Sequence, residues 1–92
     1  MVAVRFSTQV DEALLETLGY IARDNPLAAF DLIEDLYRRI VDTLGQFPDS
    51  GPQLRDGRRF LTIRHYTFVY RHYPAKGEVW VMEVFGPGMD WR

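Results

Sequence analysis

The hydrophobic period of this chain changes once, and the change falls at one turn. From Val10 to Phe47 apolar residues recur at helical spacing; from Arg59 to Phe85 they alternate. Between the two lies Phe47-Pro48-Asp49-Ser50-Gly51-Pro52, a run of strong turn formers. Such a chain must lay a helical layer on a sheet.

Within the helical half, Ser7-Thr8-Gln9-Val10-Asp11 reads as a helix start, with Thr8 as N-cap and Asp11 and Glu12 near the positive end of the helix dipole. Val10, Leu14, Leu18, Ile21 and Ala22 then make one apolar face. Asp24-Asn25-Pro26 ends that helix and starts the next, with Asn25 as cap and Pro26 at the first position. On the second helix Ala29, Leu32, Ile33, Leu36, Tyr37, Ile40, Leu44 and Phe47 share one side, and Asp31, Glu34, Asp35, Arg38 and Asp42 a solvated one. So short a connection makes the two helices an antiparallel hairpin.

Val2 to Phe6 reads as a first strand. Arg59–Ile63, Tyr66–Tyr73 and Glu78–Phe85 read as three more, with Pro74-Ala75-Lys76-Gly77 as a hairpin turn. The expected fold is therefore α+β, in the order β-α-α-β-β-β. A helical hairpin packs on one face of a largely antiparallel sheet, in one domain spanning residues 1–92.

Charge divides along the same line. Residues 9–49 hold nine acids and three arginines, whereas residues 50–77 hold six basic residues and one acid. The total of −2 conceals this polarity. It excludes a uniformly basic coat, and direct nucleic-acid binding is not the expectation. The basic run Arg55, Arg58, Arg59, Arg64, Arg71 and Lys76, interleaved with Tyr66, Tyr70 and Tyr73, suits an acidic protein partner; RNA phosphates and bases are the other reading.

Cysteine is absent, which removes disulfides, thiolate nucleophiles and cysteine-bound metals, and a reducing cytoplasm is the expected compartment. No stretch approaches a membrane span, so no membrane partner is expected. A glycine-rich phosphate loop, a metal-binding histidine pair and a nucleophile elbow are all missing, so no cofactor or metal is expected. His65 and His72, seven residues apart, read as structural residues on one strand or neighbouring strands. The ending Met89-Asp90-Trp91-Arg92 either pins the tail to the core or offers an aromatic anchor to a partner.

Several segments in order carry a resemblance. They are Phe6-Ser7, Ala13-Leu14, Leu18, Tyr20-Ile21-Ala22, Asp24-Asn25-Pro26, Ala28-Ala29, Leu44, Pro48-Asp49-Ser50-Gly51, Arg59 and Tyr66-Thr67-Phe68-Val69-Tyr70-Arg71. Over about eighty residues their order and spacing resemble the ParE/RelE toxin superfamily, in its ParE-like plasmid-stabilisation branch. The resemblance implies the toxin of a type II toxin–antitoxin pair, neutralised in a hetero-oligomer by a small ParD-like antitoxin. ParE-like members are associated with poisoning DNA gyrase, and RelE-like members with cutting mRNA in the ribosome.

Where a RelE-like chain places an arginine in the middle strand, Thr67 stands, and Phe85-Gly86-Pro87-Gly88 follows where a histidine or arginine often sits. Arg59 and Arg71 match the pattern, but arginine stays charged to a pKa above about 12 and is a poor acid or base. The expectation is thus inhibition of gyrase by binding. A RelE-like endoribonuclease using Arg59 and Arg71 is one alternative, and a non-toxic antitoxin-binding relative is another. Arg58, Arg59, Arg64 and Arg71 are the expected antitoxin contacts, with apolar anchors in the groove where hairpin meets sheet. Tyr66, Met89, Trp91 and Arg92 are the expected target contacts.

Overall fold

A computed structural model describes residues 1–89. The chain runs β1 (Ala3–Phe6), α1 (Thr8–Ala22), α2 (Pro26–Gln46), β2 (Arg59–Ile63), β3 (Tyr66–Tyr73) and β4 (Glu78–Phe85), with a short 3₁₀ turn at Pro74–Lys76. The four strands form one sheet in the order β1-β4-β3-β2. β2, β3 and β4 meander antiparallel, and β1 closes the far edge parallel to β4. The expected architecture stands.

The first helix starts one residue earlier than its sequence signals suggest. Ser7, not Thr8, is the N-cap: its Oγ accepts the Val10 N–H at 3.2 Å and donates to the Met82 carbonyl at 2.9 Å. The hydroxyl thereby ties helix entry to β4, which a cap one residue later would not do. Asn25 caps α2 as expected, its Oδ1 accepting from Ala28 N at 3.1 Å.

Val10 and Leu14 of α1, Leu36, Ile40 and Leu44 of α2, and Phe68, Tyr70, Val79 and Val81 of the sheet form the buried core. Phe47 does not join them; it is 61% exposed. Its backbone has already left helical geometry (φ −130°, ψ 70°), so the helical phase that assigned it inward no longer applies.

Asp35 departs in the other direction. Placed by its spacing on the solvated side, it is only 8% exposed. It pairs with Arg38 and with Arg39 (3.1 Å) on its own helix, and with Arg64 (3.3 Å) from the β2–β3 turn. The carboxylate is an ionic pin between the helical and sheet layers.

That turn has two residues, Arg64 and His65, both with positive φ (50° and 69°). This is the twist a two-residue hairpin needs. His65 therefore sits exposed in a turn rather than on a strand. His72, on β3, has its Nδ1 2.9 Å from Asp49 Oδ1 and helps hold the 47–52 turn to the sheet.

A bulge fixes which β4 residues face which way. Val69 opposes Glu83 and Tyr70 opposes Val81, leaving Met82 as the extra residue. Val79, Val81 and Val84 consequently all pack on the core, although strict alternation would turn Val84 outward.

Candidate functional site

The four strands leave one sheet face uncovered by helices. Phe68 and Tyr70 face the core, so Thr67, Val69, Arg71 and Tyr73 face the other way. They are joined there by Phe60, Trp80, Glu83 and Phe85. The loop from Pro52 to Arg58 folds along the β2 edge, where Phe60 N–H donates to Pro52 O at 3.2 Å and Leu54 N–H to Arg58 O at 2.6 Å.

Arg58 occupies the middle of this face. Its guanidinium donates to Asp56 at 2.6 Å and to Glu83 at 2.7 Å. The Arg58 backbone N–H and guanidinium hold the Asp56 carboxyl below its ordinary value. On one side of the Arg58–Glu83 pair is a cleft of about 500 Å³ reaching Trp80, Met82, Tyr73 and Lys76. On the other is a cleft of about 840 Å³ bounded by Leu54, Phe60, Val69 and Phe85. Arg71 donates to the Asp56 carbonyl at 3.1 Å, and Arg5 pairs with Glu78, holding that carboxyl low as well.

The four arginines expected to meet an antitoxin are therefore not one patch. Arg58 and Arg71 lie on the open face. Arg59 turns to the helix side, donating to Gly51 O at 2.9 Å with Nε 3.5 Å from Asp49. Arg64 leaves the sheet for α2, reaching Asp35 at 3.3 Å and Asp31 at 3.6 Å. Tyr70 is fully buried in the core and offers no stacking surface; its hydroxyl accepts the Gly51 N–H at 2.9 Å. The sequence reading missed Trp80, Met82, Phe60 and Phe85 as surface residues; the alternation around Trp80 was the available signal.

A third concavity, of about 610 Å³, lies where hairpin meets sheet. α1 contributes Ala13, Glu16, Thr17, Tyr20 and Ile21; the sheet contributes Tyr66 and Val84; Gly86, Pro87 and Met89 close it. A small turn positions the last of these: Met89 N–H donates to Gly86 O at 3.2 Å, and Gly86 N–H approaches Met89 Sδ at 3.4 Å. Gly88 has φ +79°, which glycine adopts without strain. Tyr66 and Met89, expected to meet the target, thus line the groove expected to receive the antitoxin. Trp91 and Arg92 lie outside the described residues.

The family model described as the ParE toxin of type II toxin–antitoxin systems, parDE, matches residues 4–91. This chain belongs to the ParE toxin family. A chromosomal ParDE toxin–antitoxin system from P. aeruginosa superposes with a TM-score of 0.79 at 16% identity, covering 95% of this chain and 97% of that one. The isolated E. coli RelE toxin gives 0.64 at 17% identity, covering 98% and 88%. The toxin–antitoxin complex E. coli RelBE gives 0.63 at 18%, covering 98% and 100%. At such identities the likeness speaks for the fold. A search of curated proteins returns no match. No helix among the described residues of this ParE-family chain is long and apolar enough to cross a membrane.

The ion pairs of this ParE fold give its stability a pH signature. Arg38, with help from Arg39 and Arg64, holds the Asp35 carboxyl below its ordinary 3.8. A carboxyl depressed on folding stabilises above its unfolded pKa and loses that contribution as pH falls through its folded pKa. Asp56 and Glu78 shift the same way. Stability should hold level above about pH 5 and fall below about pH 4. Asp35→Asn should give a shallower acid slope in urea midpoints measured against pH. An unchanged slope would remove Asp35 from the account.

Proposed function

We propose that this ParE-family chain is a toxin silenced by a ParD-like antitoxin and acting by binding, with DNA gyrase as its target. The observation that carries the reading is the groove shared by α1, Tyr66 and Met89. An amphipathic antitoxin helix would seat apolar anchors there, with Tyr20 at the rim and Tyr66 and Val84 at the floor. Occupying it covers the residues through which the toxin would reach its target, so neutralisation is competition for one surface.

An extended antitoxin segment would add acidic contacts on the open face. Arg71, which donates to a carbonyl rather than a carboxylate, and the exposed Lys76 are its first partners there. Arg58, Arg59 and Arg64 already pair with carboxylates of their own chain. An antitoxin acid reaching them must displace Glu83, Asp49 or Asp35, so each exchange adds little net affinity.

Binding is favoured over RNA cleavage by the placement of Arg59 and Arg71 on opposite faces of the sheet. Two cations so separated cannot stabilise one reacting phosphate. Supercoiling and cleavage assays with purified gyrase test the target, using the full chain and a form lacking Met89–Arg92. Inhibition by the full chain at micromolar concentration, weakened by the truncation, is expected. No inhibition by the full chain would overturn gyrase as target.

A further inference from the structure

The outward side of α2 carries a stripe that neither the groove nor the open sheet face uses. Leu27, Phe30, Glu34, Arg38 and Val41 follow one another at intervals of three and four residues, so they share one line along the helix. All five are exposed, Leu27 at 84%, Phe30 at 61% and Val41 at 38%. The opposite side of the same helix, Ala29, Leu36, Ile40 and Leu44, is buried in the core. The stripe is therefore apolar at both ends and charged in the middle, with one acid and one base. Carrying no net charge, it attracts neither nucleic acid nor a partner of a single sign.

What the stripe matches is its own reverse. A two-fold axis crossing α2 level with Leu36 sets Glu34 of each copy against Arg38 of the other, and Phe30 of each against Val41 of the other. Leu27 then meets the Gly45 end of the other helix. Met1 lies there, its Cε 3.3 Å from where a Cβ on Gly45 would stand, with its own side chain exposed. The charges permit this approach. Arg38 donates to Asp35 through Nη2 and is otherwise largely exposed, which leaves donors for a second carboxylate. Glu34 already stands near Arg38 of its own helix. In the pair each Glu34 lies between two arginines, and the four charges alternate. Asp31 and Asp42 approach one another at the flank, each beside a cation of its own chain, Arg64 at 3.6 Å and Arg38 respectively.

We propose that the chain self-associates through α2 as an antiparallel two-fold pair, so that the occupant of this stripe is a second copy. Phe30, Val41 and Leu27 supply the apolar contacts, and the Glu34–Arg38 cluster fixes the register. With 21 residues, α2 is about 31 Å long. One helix pair of that length is a small interface, so the association is a weak, micromolar one. No residue lining the α1–Tyr66 groove belongs to α2. Pairing therefore leaves the groove of each copy open, and a dimer presents two of them.

Sedimentation equilibrium of the purified full chain tests this. A monomer–dimer equilibrium should be seen, weakened about tenfold or more by Phe30→Ser and again by Glu34→Lys, which sets like charges face to face. Both positions are exposed, and circular dichroism confirms that each variant is folded; Leu27→Ser gives the same reading should Phe30→Ser not fold. A chain that stays monomeric up to about 500 µM, or a dimer indifferent to these changes, would overturn the proposal. The chain has no cysteine, so register can be read by oxidation. A mixture of Phe30→Cys and Val41→Cys chains should form the mixed disulfide. Neither variant alone should cross-link, because like positions in the pair stand about 16 Å apart. Cross-linking of either variant with itself would overturn the antiparallel arrangement. The free chain is measured without antitoxin or target, so self-association can fail while the toxin reading stands. A dimer that persists with Tyr20→Ser shows that the groove plays no part in it, and loss of the dimer with that variant would overturn α2 as the contact.

Discussion

Gly51→Ala is expected to lower the unfolding free energy by about 3 kcal/mol or more, the largest effect anticipated for adding a single methyl group. The reason is space, not backbone conformation. A Cβ at Gly51 would stand 2.2 Å from the Phe60 carbonyl oxygen, 3.0 Å from its carbon and 2.8 Å from the Tyr70 hydroxyl. None of these can move cheaply. Phe60 is a residue of β2 whose N–H is bonded to Pro52, and the Tyr70 ring is fully buried. Gly51 itself is held at both ends, its N–H donating to Tyr70 Oη and its carbonyl accepting from Arg59. The added methyl must part the turn from the sheet at the point where the helical half meets the strands. Native stability of a small domain is about 5–15 kcal/mol, so such a loss is a large share of it. Urea unfolding followed by circular dichroism measures it. A variant within about 0.5 kcal/mol of the parent would show that the turn can be repacked. Tyr70→Phe, which removes the hydroxyl that the Gly51 N–H and the Ser50 side chain bond to but adds no bulk, should cost less, about 1–3 kcal/mol.

That turn also shows how far the sequence could be read. Its residue types announced a break between two periods, and the helices and strands fell where periodicity put them. The hydroxyl of Tyr70 bonded to a backbone nineteen residues away follows from no local pattern. Asp35 failed for a related reason. Helical phase puts it on the solvated side, and Arg64, arriving from a distant turn to join Arg38 and Arg39, helps to cover it. The β4 bulge is a third case. Glu78 to Phe85 alternates in the sequence as though every second residue faced one way, and one extra residue at Met82 changes the phase halfway along. The basic segment misled most. Six cations close in sequence suggested one patch, but successive strand residues point to opposite faces, so Arg58 and Arg59 parted company. The candidate groove was legible as a place, hairpin against sheet, because amphipathic layers always meet along such a line. That Tyr66 and Met89 would line it together depended on the turn at Gly86–Met89, which brings Met89 back beside Tyr66 and Val84 after the last strand has ended.

Tyr20→Ser should weaken the antitoxin by about 30- to 100-fold, because it removes an aromatic contact worth about 2 kcal/mol or more at the rim of the groove. Tyr20 is 74% exposed, so the fold loses almost nothing and the measured change belongs to the interface. The prediction separates two ways of being neutralised. If the antitoxin works by filling the groove, the variant toxin should arrest growth at antitoxin levels that still protect cells from the parent. If instead the antitoxin is held mainly by ion pairs with the arginines, Tyr20→Ser should bind as the parent does. Arg71→Ala would then be the damaging change. Titration calorimetry with the purified antitoxin decides between them, and co-expression at graded antitoxin levels reads the same difference in growth. The structure weights the first outcome, since three of the four arginines are occupied by carboxylates of their own chain while the tyrosine stands exposed beside an apolar groove. Exchanging one carboxylate for another returns little free energy in water, whereas covering an exposed aromatic ring returns the full value of its burial.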